Sequence, residues 1–324
     1  MVNLQQTAQQ MTCMEVWGGN ELTERGVELS GLDAWVYSKP FGEAESGGDI
    51  YYASTCATGR ISRLLLADVA GHGRSVAGTA AELRTIMRRF INHLDQTEFV
   101  RLLNQQFIAL SRDEAYATAI VTTFFAPTGC LSVCNAGHPR PLLYRAASGQ
   151  WDFVGRHFVG NDGAIKHSPL RNIPLGILHR SEYEQFDIQL NPGDCVLSYT
   201  DALIDSRDAD GEILGEAGLL KIVRQLGDVQ SQNLIALLLS AIAQQYPENL
   251  SEDDVTVLLI HANGREARNS FGEKLSALGR FSRTLIGAID PSAERPPFPD
   301  ANLANIGGAL IPALGRRWRS CSHR

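Results

Sequence analysis

Aspartates beside apolar segments are the residues of this sequence best suited to do chemistry. Asp49 precedes Ile-Tyr-Tyr, Asp68 follows three leucines and an alanine, and Asp201 follows Val-Leu-Ser-Tyr-Thr. The pair Asp253 and Asp254 precedes Val-Thr-Val-Leu-Leu-Ile. Hard cations such as Mg²⁺ and Mn²⁺ prefer oxygen ligands, and a strand end can present a carboxylate from a rigid sheet. Aspartate is common at turns for local reasons, but these sites together, with glycines beside several of them, predict a divalent-metal cluster.

Seven short segments occur in a recognisable order along the chain. They are GGD at 47–49, ADVAGHG at 67–73, NAGHP at 135–139, PLG at 174–176, PGD at 192–194, YTD at 199–201 and DDVT at 253–256. In this order the sequence resembles the metal-dependent phosphatases of the protein phosphatase 2C superfamily (PPM-type), most closely the bacterial SpoIIE- and RsbU-like serine phosphatases. The resemblance implies an α+β fold, a four-layer α/β/β/α sandwich of two mainly antiparallel sheets flanked by helices.

The resemblance also implies a role for each candidate ligand in a site for two divalent cations, Mn²⁺ or Mg²⁺. Asp68 would bridge the two ions, the carbonyl of Val69 would bind one of them, and Asp49 would support that ion directly or through water. Asp201 and Asp253 would hold the other ion. A water molecule activated by the ions would attack the phosphate ester, so no covalent nucleophile is expected.

Some residues beside these acids have more than one interpretation. Asp253 is preferred over Asp254 as a ligand because the second position of the family pattern is commonly Asp or Asn before an apolar residue and Thr. His72 and His138 are candidate proton donors or phosphate contacts, but a histidine in a glycine-containing turn more often has a structural hydrogen-bonding role.

The segment after Asp201 departs from the family pattern, which commonly has glycine next and glutamate three residues further on. Here these positions are Ala202 and Asp205. If the glycine has a positive φ angle, Ala202 strains the loop, and Asp205 reaches one methylene less far than glutamate. Weakened metal binding is the resulting hypothesis.

Three functions fit these observations. The main prediction is a phosphatase that acts on phosphoserine or phosphothreonine of a regulatory protein, for example an anti-sigma-factor antagonist. The second is a weakly active or inactive relative that binds a partner, which Ala202, Asp205 and the basic C-terminal end favour and the retained aspartates oppose. The third is an enzyme for small phosphate esters, which would share the metal cluster.

Composition sets limits on class and location. The 324 residues are 44% hydrophobic and 20% charged, as in ordinary globular proteins. The net charge is −7, and because residues 262–324 carry ten Lys or Arg and five Asp or Glu, residues 1–261 carry −12. An acidic body argues against nucleic-acid binding. We expect no transmembrane segment, a cytoplasmic location, and reduced structural thiols at the scattered cysteines. The sequence does not indicate the oligomeric state.

Apolar periodicity places these motifs on elements of structure. Strands are expected at Leu32–Tyr37, Ile50–Ser54 and Ile61–Leu66, and helical spacing over Ser75–His93 and Phe99–Leu110 predicts two helices. Glycines and a proline in residues 155–172 indicate a loop or flap. The expected organisation is an N-terminal extension (1–30), a phosphatase domain (31–262) and a C-terminal extension (263–324) with a Pro-rich spacer and a basic end.

Overall fold

Two stacked sheets with helices on both outer faces make up the part of the chain that the structure describes. This part of the computed structural model comprises residues 9–10, 16–55, 61–90, 93, 95–110, 115–154, 172–227 and 231–265. The elements in chain order are β1 (Gln9–Gln10), β2 (Val16–Glu21), β3 (Thr23–Leu29), β4 (Leu32–Lys39), β5 (Ser46–Thr55), β6 (Ile61–Val69), α1 (Ala77–Phe90), α2 (Gln96–Leu110), β7 (Ala117–Phe125), β8 (Cys130–Ala136), β9 (Leu142–Arg145), β10 (Gln150–Phe153), β11 (Gln185–Gln189), β12 (Cys195–Tyr199), α3 (Ala202–Asp205), α4 (Gly215–Gln225), α5 (Ser231–Ala243) and β13 (Val255–Ala262).

The strands divide into two sheets. Sheet A has seven strands in the order β1-β3-β4-β13-β12-β9-β10, and sheet B has six in the order β11-β8-β7-β6-β5-β2. The described pairs are antiparallel except for β1 with β3. The expected α+β sandwich of mainly antiparallel sheets is confirmed.

Three apolar clusters separate four layers. One lies between the sheets and joins residues such as Leu64 and Leu66 of β6 to Leu258 of β13. The second packs α1 and α2 on the outer face of sheet B, and the third packs α4 and α5 on the outer face of sheet A. The central strands are therefore covered on both faces, which explains why β5, β6 and β13 are buried nearly throughout.

Alternation along the strands directs the acidic side chains toward the space between the sheets. Asp68 lies on the same face of β6 as Leu64 and Leu66, because side chains two residues apart share a face. Asp49 shares its face of β5 with Tyr51, which belongs to the same cluster between the sheets. The apolar filling of the sandwich therefore gives way to carboxylates at one edge.

The sandwich begins earlier in the chain than the sequence predicted. Residues 16–29, which were expected in an N-terminal extension, form β2 and β3 and pair with β5 and β4. Glycines interrupt the apolar pattern of both strands, so periodicity alone did not reveal them. At the other end, Asn263 and Arg265 bond to Asp33 and Glu28 of sheet A.

The remaining predictions concern the flap, the C-terminal extension, the cysteines and membrane-spanning helices. The flap at 155–171 and the Pro-rich spacer and basic end of the C-terminal extension lie outside the described residues. Cys134 and Cys195 are buried free thiols, as expected. Cys130, in contrast, forms a disulfide, which sequence spacing could not show because pairing depends on neighbours in space. Among the described helices, none is long and apolar enough to cross a membrane.

Candidate metal centre

Sheet B contributes two of the candidate ligands as direct cross-strand neighbours. Asp49 of β5 pairs with Asp68 of β6 in the antiparallel register. Asp49 is only 3% exposed, and its Oδ2 accepts a hydrogen bond of 2.9 Å from the Thr200 hydroxyl. Thr200 directly follows β12 of sheet A, so this bond already links the two sheets at the acidic edge.

Sheet A contributes the other two candidate side chains at adjacent strand ends. Asp201 precedes the short helix α3, and Asp253 lies two residues before β13. The amide of Thr200 donates to the carbonyl of Thr256 at 3.0 Å, and the amide of Thr256 donates to the Thr200 hydroxyl at 2.9 Å. These bonds hold the two strand ends side by side. Oδ1 of Asp253 accepts a bond of 2.7 Å from the amide of Asp254.

Asp254 has a different role from its neighbour because its carboxylate is occupied by backbone donors. Oδ1 accepts from the amide of Phe41 at 2.6 Å, and Oδ2 accepts from the amides of Gly48 at 2.7 Å and Gly73 at 3.0 Å. The residue is 3% exposed. A buried carboxylate is stabilised by such charge-assisted bonds. The choice of Asp253 rather than Asp254 as the ligand stays a prediction, and this bonding favours it.

The two glycines of the GGD segment make room for this arrangement. A Cβ on Gly47 would lie 2.3 Å from Oδ1 of Asp254, and a Cβ on Gly48 would lie 2.9 Å from the carbonyl oxygen of Val69. Real Cβ atoms do not approach oxygens so closely, so any other residue would displace the Asp254 carboxylate or the Val69 carbonyl. The glycine pair is therefore required by the close approach of β5 to these two groups.

Burial and mutual repulsion raise the pKa values of the candidate ligands. Burial raises the pKa of Asp68 to about 8, and the charges of Asp201, Asp253 and Asp254 add to this effect. Burial together with Asp253 and Asp205 raises the pKa of Asp201 to about 6.

The pKa values of the other two candidate ligands, Asp49 and Asp253, are raised as well. Burial raises the pKa of Asp49 well above its usual range, and the charge of Asp68 adds to it. The pKa of Asp253 is also raised, first by burial. Acids from both sheets are thus close enough to oppose each other's ionisation.

This donor set fits hard divalent cations. The groups are carboxylates with one backbone carbonyl, the oxygen ligands that Mg²⁺ and Mn²⁺ prefer, and a cation would relieve the repulsion that raises the pKa values. In the described residues no three His, Cys, Asp or Glu side chains come together closely enough to surround an ion. The acids therefore interact through charge without forming a closed ligand shell.

The two candidate histidines differ in exposure. His72 is exposed, its ring contacts Phe41 with centroids 4.3 Å apart, and its charge lowers the pKa of Asp253. His138 is buried.

Ala202 begins α3 and has no positive φ angle, so the prediction of backbone strain at this residue is wrong. Helical geometry suits alanine. Asp205 is the last residue of α3, and its charge helps to raise the pKa of Asp201.

The sequence did not reveal the roles of two residues of this edge, Thr200 and Asp254. Thr200 was visible in the YTD segment, but its bond to Asp49 spans 151 positions and has no local signal. The anchoring role of Asp254 was equally hidden, since its partners are more than 180 residues away.

The family model of stage II sporulation protein E (SpoIIE) matches residues 59–263. Protein IcfG of Synechocystis sp. is 23% identical over 166 residues, which are 51% of this chain and 24% of IcfG. The chain thus aligns with less than a third of that relative.

Solved structures share the sandwich. The RsbU and RsbW domains of Rv1364c from Mycobacterium tuberculosis superpose with a TM-score of 0.58 at 24% identity, covering 83% of this chain and 72% of that chain. The PP2C phosphatase domain of SpoIIE from Bacillus subtilis, with a fragment of its regulatory domain, gives 0.58 at 16% identity over 76% of this chain and 70% of that chain. RsbX, solved in complex with magnesium, gives 0.51 at 16% identity over 74% and 99%. These likenesses show the fold.

Neutralising Asp254 should destabilise the chelator-treated protein, whereas neutralising its neighbour Asp253 should not. Asp254→Asn replaces an accepting oxygen by an NH₂ group that faces backbone N–H donors, so we expect the free energy of unfolding to fall by about 2–4 kcal/mol. Asp253→Asn keeps an oxygen for the Asp254 amide and removes a repelled charge, so stability should stay within about 0.5 kcal/mol or rise. Urea unfolding measures both. Equal losses, or the reverse order, would contradict the distinction.

The metal-free protein should lose stability as pH rises. The folded pKa of Asp68 is about 8 and its ordinary value is 3.8, so between these values the folded state binds more protons than the unfolded state. The free energy of unfolding must then decrease with increasing pH across that window. Urea unfolding of wild type and Asp68→Asn in chelator, over a pH series, measures the difference in slope. We expect a shallower fall for the variant, whereas parallel curves would show that Asp68 does not titrate in this way.

Proposed function

The chain belongs to the SpoIIE family, because the family model matches more than half of its length; from this membership we propose that it is a metal-dependent protein serine/threonine phosphatase. The reaction would be hydrolysis of a phosphoserine or phosphothreonine ester on a regulatory protein. The chain aligns with 24% of the relative IcfG, so the proposal concerns the described sandwich and its acidic edge.

One observation carries the proposal. Carboxylates from two different sheets, Asp49 and Asp68 on one side and Asp201 and Asp253 on the other, oppose each other's ionisation at a single edge. Mutual repulsion of these carboxylates destabilises the folded protein, so the simplest explanation of the cluster is that it binds cations. Clusters of perturbed acids at the edge of a rigid scaffold are typical of catalytic sites.

Divalent cations would supply neutralisation of the phosphoryl oxygens and a lowered pKa for water. The residues proposed to hold them are Asp68 between the two positions, Asp49 and the Val69 carbonyl on the side of sheet B, and Asp201 and Asp253 on the side of sheet A. Because the sheets fix the backbone of each residue, the protein orients these oxygens before substrate arrives. The Thr200 hydroxyl would hold Asp49 in one rotamer by donating to its Oδ2.

The alternative of an inactive binding protein loses part of its motivation. It depended in part on strain at Ala202, but that residue is an unstrained helical position in the apolar cluster on the outer face of sheet A. Asp205 remains a departure from the family pattern. A phosphoprotein substrate is favoured over small esters by the family to which the chain belongs, and the assay below compares the two.

The proposal predicts hydrolysis that requires Mn²⁺ or Mg²⁺. With a phosphoserine peptide and a chromogenic phosphate ester as substrates, we expect turnover in either cation and none in chelator. Asp68→Asn should lower kcat/KM by about 100-fold or more, since it removes the residue assigned to both ions. Asp210→Asn, in the exposed turn between α3 and α4, is the matched control and should retain wild-type turnover.

Outcomes that contradict the proposal are equally definite. Turnover that persists in chelator, or that Asp68→Asn leaves unchanged, would remove metal-dependent hydrolysis at this edge. A folded protein that binds Mn²⁺ yet hydrolyses neither substrate would favour the partner-binding alternative.

A further inference from the structure

The chain passes from sheet B to sheet A through the NAGHP segment. Strand β8 belongs to sheet B and β9 to sheet A, and residues 137–141 connect them. The Asn135 side chain fixes this crossover, because its Nδ2 donates to the His138 carbonyl and its Oδ1 accepts from the His138 amide, both at 2.8 Å. Gly137 has a φ of +70°, and a Cβ there would lie 2.5 Å from Pro174. The position of His138 is therefore tightly determined.

The imidazole of His138 is buried at the junction of the two sheets. It is 5% exposed, and its Nδ1 lies 2.8 Å from the hydroxyl of Thr118. Burial lowers the pKa of His138 to about 3, and the backbone of Tyr199 acts in the opposite direction. The ring is thus neutral near pH 7, with one nitrogen that donates and one that accepts.

The two contacts of the ring lie beside the candidate ligands. Thr118 of β7 pairs with Asp68 across sheet B, and Tyr199 ends β12 two residues before Asp201 in sheet A. Nε2 has no hydrogen-bond partner of normal geometry, although the Tyr199 backbone is close enough to favour the protonated ring. If Thr118 donates to Nδ1, the ring proton lies on Nε2, and the Tyr199 carbonyl is the acceptor that suits it.

The hydroxyl of Tyr199 adds a second link between the same segments. It donates to the carbonyl of Arg140 at 2.8 Å, so the crossover is also hydrogen-bonded to the side chain of Tyr199. The strand end that leads to Asp201 is therefore held against the crossover, and the crossover is held against the strand opposite Asp68.

We propose that His138 is a positioning residue that sets the spacing between the Asp68 edge of sheet B and the Asp201 edge of sheet A. The consequence for function is that His138 governs how tightly the acidic edge binds divalent cations, and this consequence rests on the proposed metal centre. His138 does not contact substrate in this role. It acts through Thr118 and the backbone of Tyr199.

Three variants and two measurements test the proposal. His138→Asn can keep a contact to Thr118 but is too short to reach Tyr199, and Thr118→Val removes the hydroxyl at nearly constant volume. The double variant tests whether both residues act as one unit. His179→Asn, at an exposed histidine, is the matched control. The measurements are Mn²⁺ affinity by calorimetry and amide hydrogen exchange of residues 199–203 in the presence of chelator.

We expect His138→Asn to weaken Mn²⁺ binding about tenfold, as substitutions of groups that orient metal ligands commonly do. Thr118→Val should give a comparable loss, and the double variant should lose little more, because residues in one network are not additive. Exchange at 199–203 should accelerate in the metal-free variants, while other strands keep their protection. His179→Asn should match wild type in both measurements.

Unchanged exchange at 199–203 in both single variants would overturn the proposal, and so would faster exchange spread evenly over β12 and β13 with Mn²⁺ affinity retained. If one variant fails to fold, the other carries the test.

The experiments distinguish failure of the proposed metal centre from failure of the proposed role of His138. Wild type that does not bind Mn²⁺ removes the metal centre and the effect of His138 on cation affinity, whereas the exchange measurement tests the positioning of the strand ends without metal.

Discussion

The carboxylate of Asp254 binds three backbone amides that lie more than 180 positions earlier in the chain, and the acidic edge depends on it. It belongs to the segment entering β13 of sheet A and accepts hydrogen bonds from the loop after β4, from β5 of sheet B and from the turn after β6. Apolar contacts between the sheets are not directional and tolerate small shifts. The three charge-assisted bonds from backbone amides are directional, so they fix how the sheets meet at this edge.

The rest of the edge follows from that constraint. With the sheets held together, Asp49 and Asp68 of sheet B face Asp201 and Asp253 of sheet A, and the four side chains oppose each other's ionisation. The cost of this repulsion is met by packing elsewhere, in the three apolar clusters that fill the sandwich and cover its faces. A rigid scaffold that holds mutually repelling acids close together is poised to bind cations, and a looser scaffold would let the acids separate.

Much of the fold could be predicted from the sequence, because local patterns carry it. The strand at Leu32, the hairpin at Ile50 and Ile61, and helices α1 and α2 were all visible in apolar periodicity. The ordered motifs predicted the sandwich and the acids of its edge. Strands β2 and β3 were not predicted because glycines interrupt the alternation of apolar residues in them. The disulfide of Cys130 was not predicted because disulfide pairing depends on which cysteines are close in the folded structure and not on their spacing in the sequence.

The site itself was predictable in composition but not in arrangement. Which acid of the pair 253–254 turns inward, how Thr200 orients Asp49, and what His138 contacts are all set by neighbours from distant parts of the sequence. The behaviour of Ala202 shows the converse: a family pattern suggested strain, and the local backbone is an ordinary helix.

The most direct test of the central claim, that two sheets present their acids to shared divalent cations, is a crystal structure of the protein grown with Mn²⁺. Anomalous scattering would locate each ion independently of the protein atoms. The account predicts two peaks between the sheets, with Asp68 bound to both, Asp49 and the Val69 carbonyl on one side, and Asp201 and Asp253 on the other. Absence of anomalous peaks at this edge in fully loaded crystals, or an ion held by Asp254 in place of Asp253, would contradict it.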